Sequence, residues 1–128
     1  MIKTEKLEKS FGEIKVLKGI DIEIHPEEIV SIVGKSGAGK TTLLQILGTL
    51  LPFESGKVTI NGFDISKLKE KQLARFRNLN IGFVFQFHHL LPEFTAIENV
   101  CIPAFIAGAT RVKAEKKANN LLDLLNLS

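Results

Sequence analysis

Apolar and charged positions alternate from Ile2 to Leu7 and, strictly, through Ile20-Asp21-Ile22-Glu23-Ile24, the period-two pattern of half-buried antiparallel strands. Lys9-Ser10-Phe11-Gly12 between them reads as a loop that carries an exposed aromatic, and His25-Pro26-Glu27-Glu28 turns the chain into the next strand. That strand, Glu28-Ile29-Val30-Ser31-Ile32-Val33, is short, apolar and β-branched. Thr42 to Leu47 has helical character, and the breaker-rich Leu51-Pro52-Phe53-Glu54-Ser55-Gly56 ends the helix. Lys57 to Ile60 predicts a further strand that meets Asn61-Gly62, a two-residue turn signal because both positions tolerate positive φ. Ser66 is placed to cap a helix running to about Asn78, whose Leu73, Phe76 and Leu79 share one face. Ile81-Gly82-Phe83-Val84-Phe85-Gln86 predicts a strand and residues 87–94 a loop. Thr95 and Glu98 then form a capping box that starts a helix near Ala96. Arg111 to Leu127 predicts an amphipathic helix with Val112, Ala118, Leu121, Leu122 and Leu125 on its apolar stripe.

Composition narrows this picture only slightly. At 128 residues the chain has the length of one domain and can bury roughly two-thirds of its unfolded surface. Seventeen Lys and Arg against fourteen Asp and Glu leave a net charge of +3. The charges are interleaved, as in Lys67-Leu68-Lys69-Glu70-Lys71 and along 111–117, so they read as solvated helix faces and no nucleic-acid partner is expected. The single Cys101 excludes an internal disulfide and reads as a packed thiol in a reducing compartment. The N-terminus mixes charges where a signal peptide needs an apolar core, and no apolar run approaches the length of a membrane span. The expected class is a soluble, cytosolic protein.

The chemistry concentrates in Gly34-Lys35-Ser36-Gly37-Ala38-Gly39-Lys40-Thr41, which fits the phosphate-binding pattern G-x-x-x-x-G-K-[ST] at every fixed position, between a predicted strand and a predicted helix. Phosphate recognition needs many donors at close range. Gly34, Gly37 and Gly39 leave backbone N–H groups accessible, and the helix start adds the free amides of Lys40, Thr41 and Thr42 with its positive dipole end. Lys40 brings a mobile cation to the terminal phosphates, and the Thr41 hydroxyl is the natural protein ligand of a Mg²⁺ that keeps most of its waters. Lys35, at a variable position of the loop, reads as a solvated side chain. Hydrolysis needs more: a positioned water, a second metal-binding carboxylate and a cation on the transferred phosphoryl group. Asp21, Asp64 and Asp123 each stand in the wrong context for that carboxylate, and neither N-K-x-D nor D-x-x-G occurs, which argues against a GTPase.

Taken together, these residues resemble the ATP-binding subunit of ABC transporters. Phe11-Gly12 followed by Val16-Leu17-Lys18-Gly19-Ile20 is similar to that family's adenine-stacking loop, with Phe11 where Tyr is more usual; the ring either stacks on the base or packs in the core. Gly34 to Thr42 matches the family's first nucleotide motif, and Phe83-Val84-Phe85-Gln86 its glutamine loop, in which the resemblance gives Gln86 a role at the Mg²⁺ and the attacking water. Gln86-Phe87-His88-His89-Leu90-Leu91-Pro92-Glu93-Phe94-Thr95-Ala96-Ile97-Glu98-Asn99-Val100 closely resembles the lipoprotein-releasing (LolD-type) branch, and macrolide-export and cell-division ATPases share parts of it. His88 and His89 belong either to the surface that meets a membrane subunit or to simple packing.

The resemblance implies an α/β P-loop NTPase (RecA-like) core with an antiparallel β-subdomain in 1–92 and the beginning of an α-helical subdomain in 93–128. It implies Mg-ATP as ligand, with Lys40 and Gln86 catalytic and Thr41 and Gln86 on the metal. Phe11, Val16 and the run Gly34, Lys35, Ser36, Gly37, Ala38, Gly39, Lys40, Thr41 and Thr42 would hold the nucleotide. It further implies a homodimer at the cytoplasmic face of the inner membrane, peripheral, engaging membrane subunits through the Gln86 to Glu98 region and coupling ATP hydrolysis to release or export of lipoproteins. The family's L-S-G-G-Q signature, second acidic motif and switch histidine do not occur in these 128 residues. The chain is therefore expected to be the N-terminal portion of such a subunit, inactive as an ATPase and poorly stable alone because apolar strand edges lack partners. A complete non-hydrolysing nucleotide-binding module and another P-loop enzyme such as a kinase are the competing readings, the latter without a supporting arginine cluster.

Overall fold

The computed structural model describes residues 1–85, 87 and 89–127. The chain forms two compact units, Met1–Arg77 and Asn78–Ser128. The first is built on strands β1 (Ile2–Phe11), β2 (Ile14–Ile24), β3 (Ser55–Ile60) and β4 (Phe63–Asp64), an antiparallel sheet in the order β2-β1-β3-β4. The alternating strands read from the sequence are present but longer than expected. Lys9 to Phe11, expected as a loop, continues β1, and only Gly12 and Glu13 turn the hairpin.

Bulges explain the misreading. Thr4 pairs Ile22 but Leu7 pairs Ile20, and against β3 Glu5 pairs Lys57 while Glu8 pairs Ser55. On each side two residues of β1 face one residue of its partner, so the side-chain alternation slips within β1 and its continuation past Leu7 loses the period-two signature. Lys6 lies in the bulge at φ 47°, its amide donating to Asp21 Oδ1 at 2.6 Å.

The core of this unit joins Leu7, Leu17, Val58 and Ile60 of the sheet with Leu43, Ile46 and Leu47 of helix α1 (Lys40–Leu47), Ile65, and Phe76 of helix α2 (Glu70–Asn80). Each such side chain contributes about 1.5–3 kcal/mol by leaving water. Thr4 is buried among them, and its Oγ1 donates to Ile20 O at 2.8 Å and accepts from Ile22 N at 3.0 Å, bridging two β2 backbone groups beside the bulge. Thr4→Val keeps the shape but removes both bonds from a buried site, so a loss of about 1–3 kcal/mol is expected in denaturant titration; an unchanged midpoint would show that the hydroxyl does not secure the bulge.

Asn61 and Gly62, at φ 50° and 82°, make the expected turn between β3 and β4. Ser66 does not cap α2. It lies in a short 3₁₀ turn, Ile65–Lys67, where Asp64 accepts from the Ser66 amide at 3.2 Å, and the amide of Lys69, just before α2, donates to Gln72 Oε1 at 2.9 Å. The Ser66 hydroxyl is taken by the acidic residue two positions earlier, Ser66 Oγ donating to Asp64 Oδ1 at 2.5 Å. Of the expected apolar face of α2, Phe76 is buried and packs edge-on against Phe63 at 5.6 Å, whereas Leu79 is exposed.

Two expected strands are not formed. Residues 28–33 and 81–85 carry no strand pairing, and Ile29, Val33 and Val84 stand 98%, 87% and 100% exposed. Their β-branched, apolar composition suits a strand buried on both faces, but a strand requires a ladder partner, and among the described residues neither segment has one. The rings of Phe83 and Phe85, two residues apart, still stack at 5.1 Å and 9°, which places them on one side of the segment as in an extended chain.

In the second unit α3 (Ala96–Ile106) and α4 (Arg111–Leu124) pack together through Cys101, Ala114 and Ala118, flanked by Ile97, Ala104 and Ala109. Cys101 is the packed thiol expected. The capping box is present: Thr95 N and Oγ1 donate to Glu98 Oε2 at 2.9 and 2.8 Å, and Thr95 Oγ1 accepts from the Glu98 amide. Those Thr95 donors hold the Glu98 carboxyl below its ordinary range. The apolar stripe expected on α4 is only partly used. Val112, Leu121 and Leu125 are exposed because close approach to α3 selects the small side chains, Ala114 and Ala118.

Candidate functional site

The loop Gly34–Gly39 reaches α1 through Gly39, which serves as its N-cap in the left-handed region at φ 87° and leaves the helix start without a side-chain cap. The first intrahelical bond, Leu43 N to Gly39 O at 2.8 Å, comes three residues into the helix, so the amides of Lys40, Thr41 and Thr42 point out of its positive end. Glycine suits position 39: a Cβ there would lie 2.9 Å from Val16 Cγ1 and 3.0 Å from Leu17 Cδ2, methyl groups that would have to give way. That contact seats the loop against β2 and brings Val16 to the loop.

The Lys40 side chain folds back over the loop, its ammonium donating to Gly34 O at 2.8 Å and Lys35 O at 2.7 Å, while Ala38 N closes a turn on Lys35 O at 3.2 Å. The loop thus wraps round a cation it holds by its own carbonyls. Gly34 to Ala38 and Thr41 are exposed; Gly39, Lys40 and Thr42 are half-buried. Donors, a central ammonium and an adjacent exposed hydroxyl on Thr41 together suit a polyphosphate and a hard, oxygen-preferring cation.

Phe11 closes the β1–β2 hairpin opposite Ile14, 49% exposed, on the same hairpin that carries Val16 to Gly39. Its ring is not covered by the core of the first unit, and one face lies 5.2 Å from the Lys9 ammonium. Gln86 and His88 lie outside the described residues. His89 sits at φ 47°, its ring edge-on to Phe85 at 5.1 Å.

Two residues that the sequence reading passed over organise these surfaces. Asn99 on α3 donates from Nδ2 to Leu91 O, Phe94 O and Thr95 O at 3.1, 3.0 and 3.0 Å, and its Oδ1 accepts from Leu91 N at 2.9 Å. A polar amide one turn after a capping-box Thr was the available signal. Glu54, just before β3, accepts from the Ser10 amide and from Lys9. Nothing short of the β1–β3 pairing could have revealed it.

A family profile described as ABC transporter matches residues 17–128. The chain is 62% identical over all of its 128 residues to the lipoprotein-releasing system ATP-binding protein LolD of Bacteroides thetaiotaomicron, covering 59% of that protein. It is 59% identical to the protein of the same name from Porphyromonas gingivalis, covering 58% of it. The chain thus spans about three-fifths of the length of these relatives. Among solved structures, the dimeric post-hydrolysis state of the ATP-binding cassette MJ0796 bound to ADP and Pi aligns over the whole chain and 58% of its own, with TM-score 0.88 and 35% identity. A second dimeric structure of MJ0796, described as a bacterial ABC transporter cassette, aligns with TM-score 0.89 and 36% identity.

Proposed function

The chain belongs to the ABC transporter family, and on that premise we propose that it is the N-terminal portion of an ATP-binding subunit that drives lipoprotein release from the bacterial inner membrane. The observation that carries the reading is the Lys40 ammonium held inside the Gly34–Gly39 loop at the open positive end of α1. A triphosphate would replace the two carbonyls as the partner of Lys40, with the amides from Gly34 to Thr42 and the loop residues Lys35, Ser36 and Ala38 surrounding it. The Thr41 hydroxyl, and Gln86, would hold a Mg²⁺. When bound, that ion neutralises charge on the β- and γ-phosphates. Lys40 stabilises the same charge as it develops in transfer, and Gln86 orients the attacking water.

Phe11, with Val16 beneath the loop, takes the base. If so, Phe11→Ala in the full-length protein weakens ATP binding by about 1–3 kcal/mol, the worth of a base–aromatic contact; equal affinities by calorimetry would remove Phe11 from the site.

The partner surface is the segment 86–98. Phe85, Phe87, Leu90, Leu91 and Phe94 are exposed large apolar side chains within one short stretch, and Asn99 holds its loop in shape. Such a patch favours docking to a membrane subunit. In this reading residues 1–92 form the N-terminal part of the ATPase core with its antiparallel β-subdomain and 93–128 the beginning of the helical subdomain. The full-length subunit acts as a homodimer, a reading supported by the dimeric MJ0796 cassettes, and works at the cytoplasmic face of the inner membrane. No helix of the described residues is long and apolar enough to cross a membrane. Hydrolysis belongs to that assembly, and the 128 residues alone are inactive.

The test is reconstitution of the full-length protein with its membrane subunits in vesicles carrying an acylated lipoprotein. ATP-dependent release of the lipoprotein is expected; macrolide efflux without lipoprotein release would overturn the assignment.

A further inference from the structure

We propose that Lys9 and Glu54 are positioning residues for base recognition, holding the Phe11 ring as a fixed stacking platform with one face reserved for the purine of the bound nucleotide. The inference rests on the reading of Phe11 as the base-stacking residue.

The geometry begins with an oddly confined lysine. The Lys9 side chain is only 12% exposed, although it lies near the end of an edge hairpin where a lysine would normally extend into water. Two contacts hold it there: Glu54 Oε1 at 3.3 Å and the face of the Phe11 ring, 5.2 Å from ammonium to centroid. Glu54 is itself fixed. The Ser10 amide donates to both of its carboxylate oxygens, at 3.1 and 3.0 Å, and the Glu54 amide donates to Glu8 O at 3.2 Å. The Ser10 amide above all, and then Lys9, hold the Glu54 carboxyl below its ordinary range.

One carboxylate therefore clamps the backbone just before Phe11 and also anchors the cation that covers the ring. Because the cation occupies one face, a base can stack only on the other. Drawing ring charge toward the ammonium also lessens the repulsion between two π-clouds. A ring already fixed loses less freedom when the base arrives. The pieces come from β1 and the segment entering β3, elements brought together only by sheet pairing.

Equilibrium binding of ATP and of inorganic tripolyphosphate, which has no base, to the full-length protein separates the possibilities. Lys9→Met keeps the stem and removes the charge; with Glu54→Gln it is expected to weaken ATP binding about two- to fivefold, the range of an exposed cation–π contact, and to leave tripolyphosphate binding unchanged. Lys9→Arg restores ATP affinity. In the Phe11→Ala background Lys9→Met has no further effect, because the two side chains act as one unit. The proposal is overturned if Phe11→Ala weakens ATP binding while Lys9→Met and Glu54→Gln do not. It is equally overturned if the two substitutions weaken ATP and tripolyphosphate alike, since that is the signature of a merely structural role. Unchanged ATP affinity in Phe11→Ala instead overturns the stacking reading itself.

Discussion

Lys40→Ala in the full-length protein is expected to lower ATP affinity about 10- to 150-fold, the loss of a charge-assisted contact worth roughly 1.5–3 kcal/mol. ATP turnover should fall further, by about 10² or more, because the ammonium acts on charge that grows toward the transition state. Stability is the discriminating control. Among the described residues the ammonium donates to Gly34 O and Lys35 O, both in an exposed loop where water replaces the lost donor. Such a substitution shifts stability by no more than about 0.5 kcal/mol. Lys40→Arg should not rescue, because the planar fork cannot take up the compact position among the loop carbonyls. Calorimetry, a phosphate-release assay and a thermal melt on the same preparation give all three readouts. Retained affinity with retained turnover would remove the loop from the site, and lost affinity with a collapsed melting temperature would make Lys40 a structural residue.

The loop was legible because its chemistry is local: eight consecutive residues specify backbone conformation, cation and hydroxyl together. The capping box at Thr95 and the Asn61-Gly62 turn were legible for the same reason, each being closed by side chains or φ values within a few residues. What failed depends on partners distant in sequence. The continuation of β1 through Lys9 was masked by a bulge whose shape is set jointly by Asp21 on β2 and Gly56 on β3. Residues 28–33 and 81–85 have the composition of buried strands, yet composition cannot supply a ladder. On α4 the apolar stripe predicted that leucines would be covered, but the helix packs where its side chains are smallest. The Lys9–Glu54–Phe11 arrangement falls in this second class. It joins a charge, a carboxylate and an aromatic that look unremarkable in the chain until β1 and β3 pair.

That bulge also sets the position where a single methyl group should do most damage. Gly56 stands opposite Lys6 and Leu7, between the pairs Glu5–Lys57 and Glu8–Ser55. A Cβ there would lie 2.5 Å from Lys6 O, 2.6 Å from Glu5 O and 2.7 Å from Leu7 Cα, and φ at +95° already disfavours any side chain. The obstructing atoms are backbone, and they cannot retreat easily. Lys6 is pinned through its amide to Asp21, and Leu7 is fully buried. Gly56→Ala is therefore expected to cost about 3–5 kcal/mol, near the upper end for single substitutions, and to lower the melting temperature of the full-length protein by roughly 10 °C or more. Gly39→Ala meets mainly the methyl groups of Val16 and Leu17, side-chain atoms that can shift by tenths of an ångström. It should cost less stability, about 1–3 kcal/mol, but displace the loop from β2 and weaken ATP binding. The two glycines thus predict opposite profiles: Gly56→Ala melts early while its folded fraction still binds ATP, and Gly39→Ala stays folded and binds poorly. A Gly56→Ala protein that melts with the parent would mean that the bulge relaxes freely, and the tight pairing of β1 between β2 and β3 would have to be redrawn.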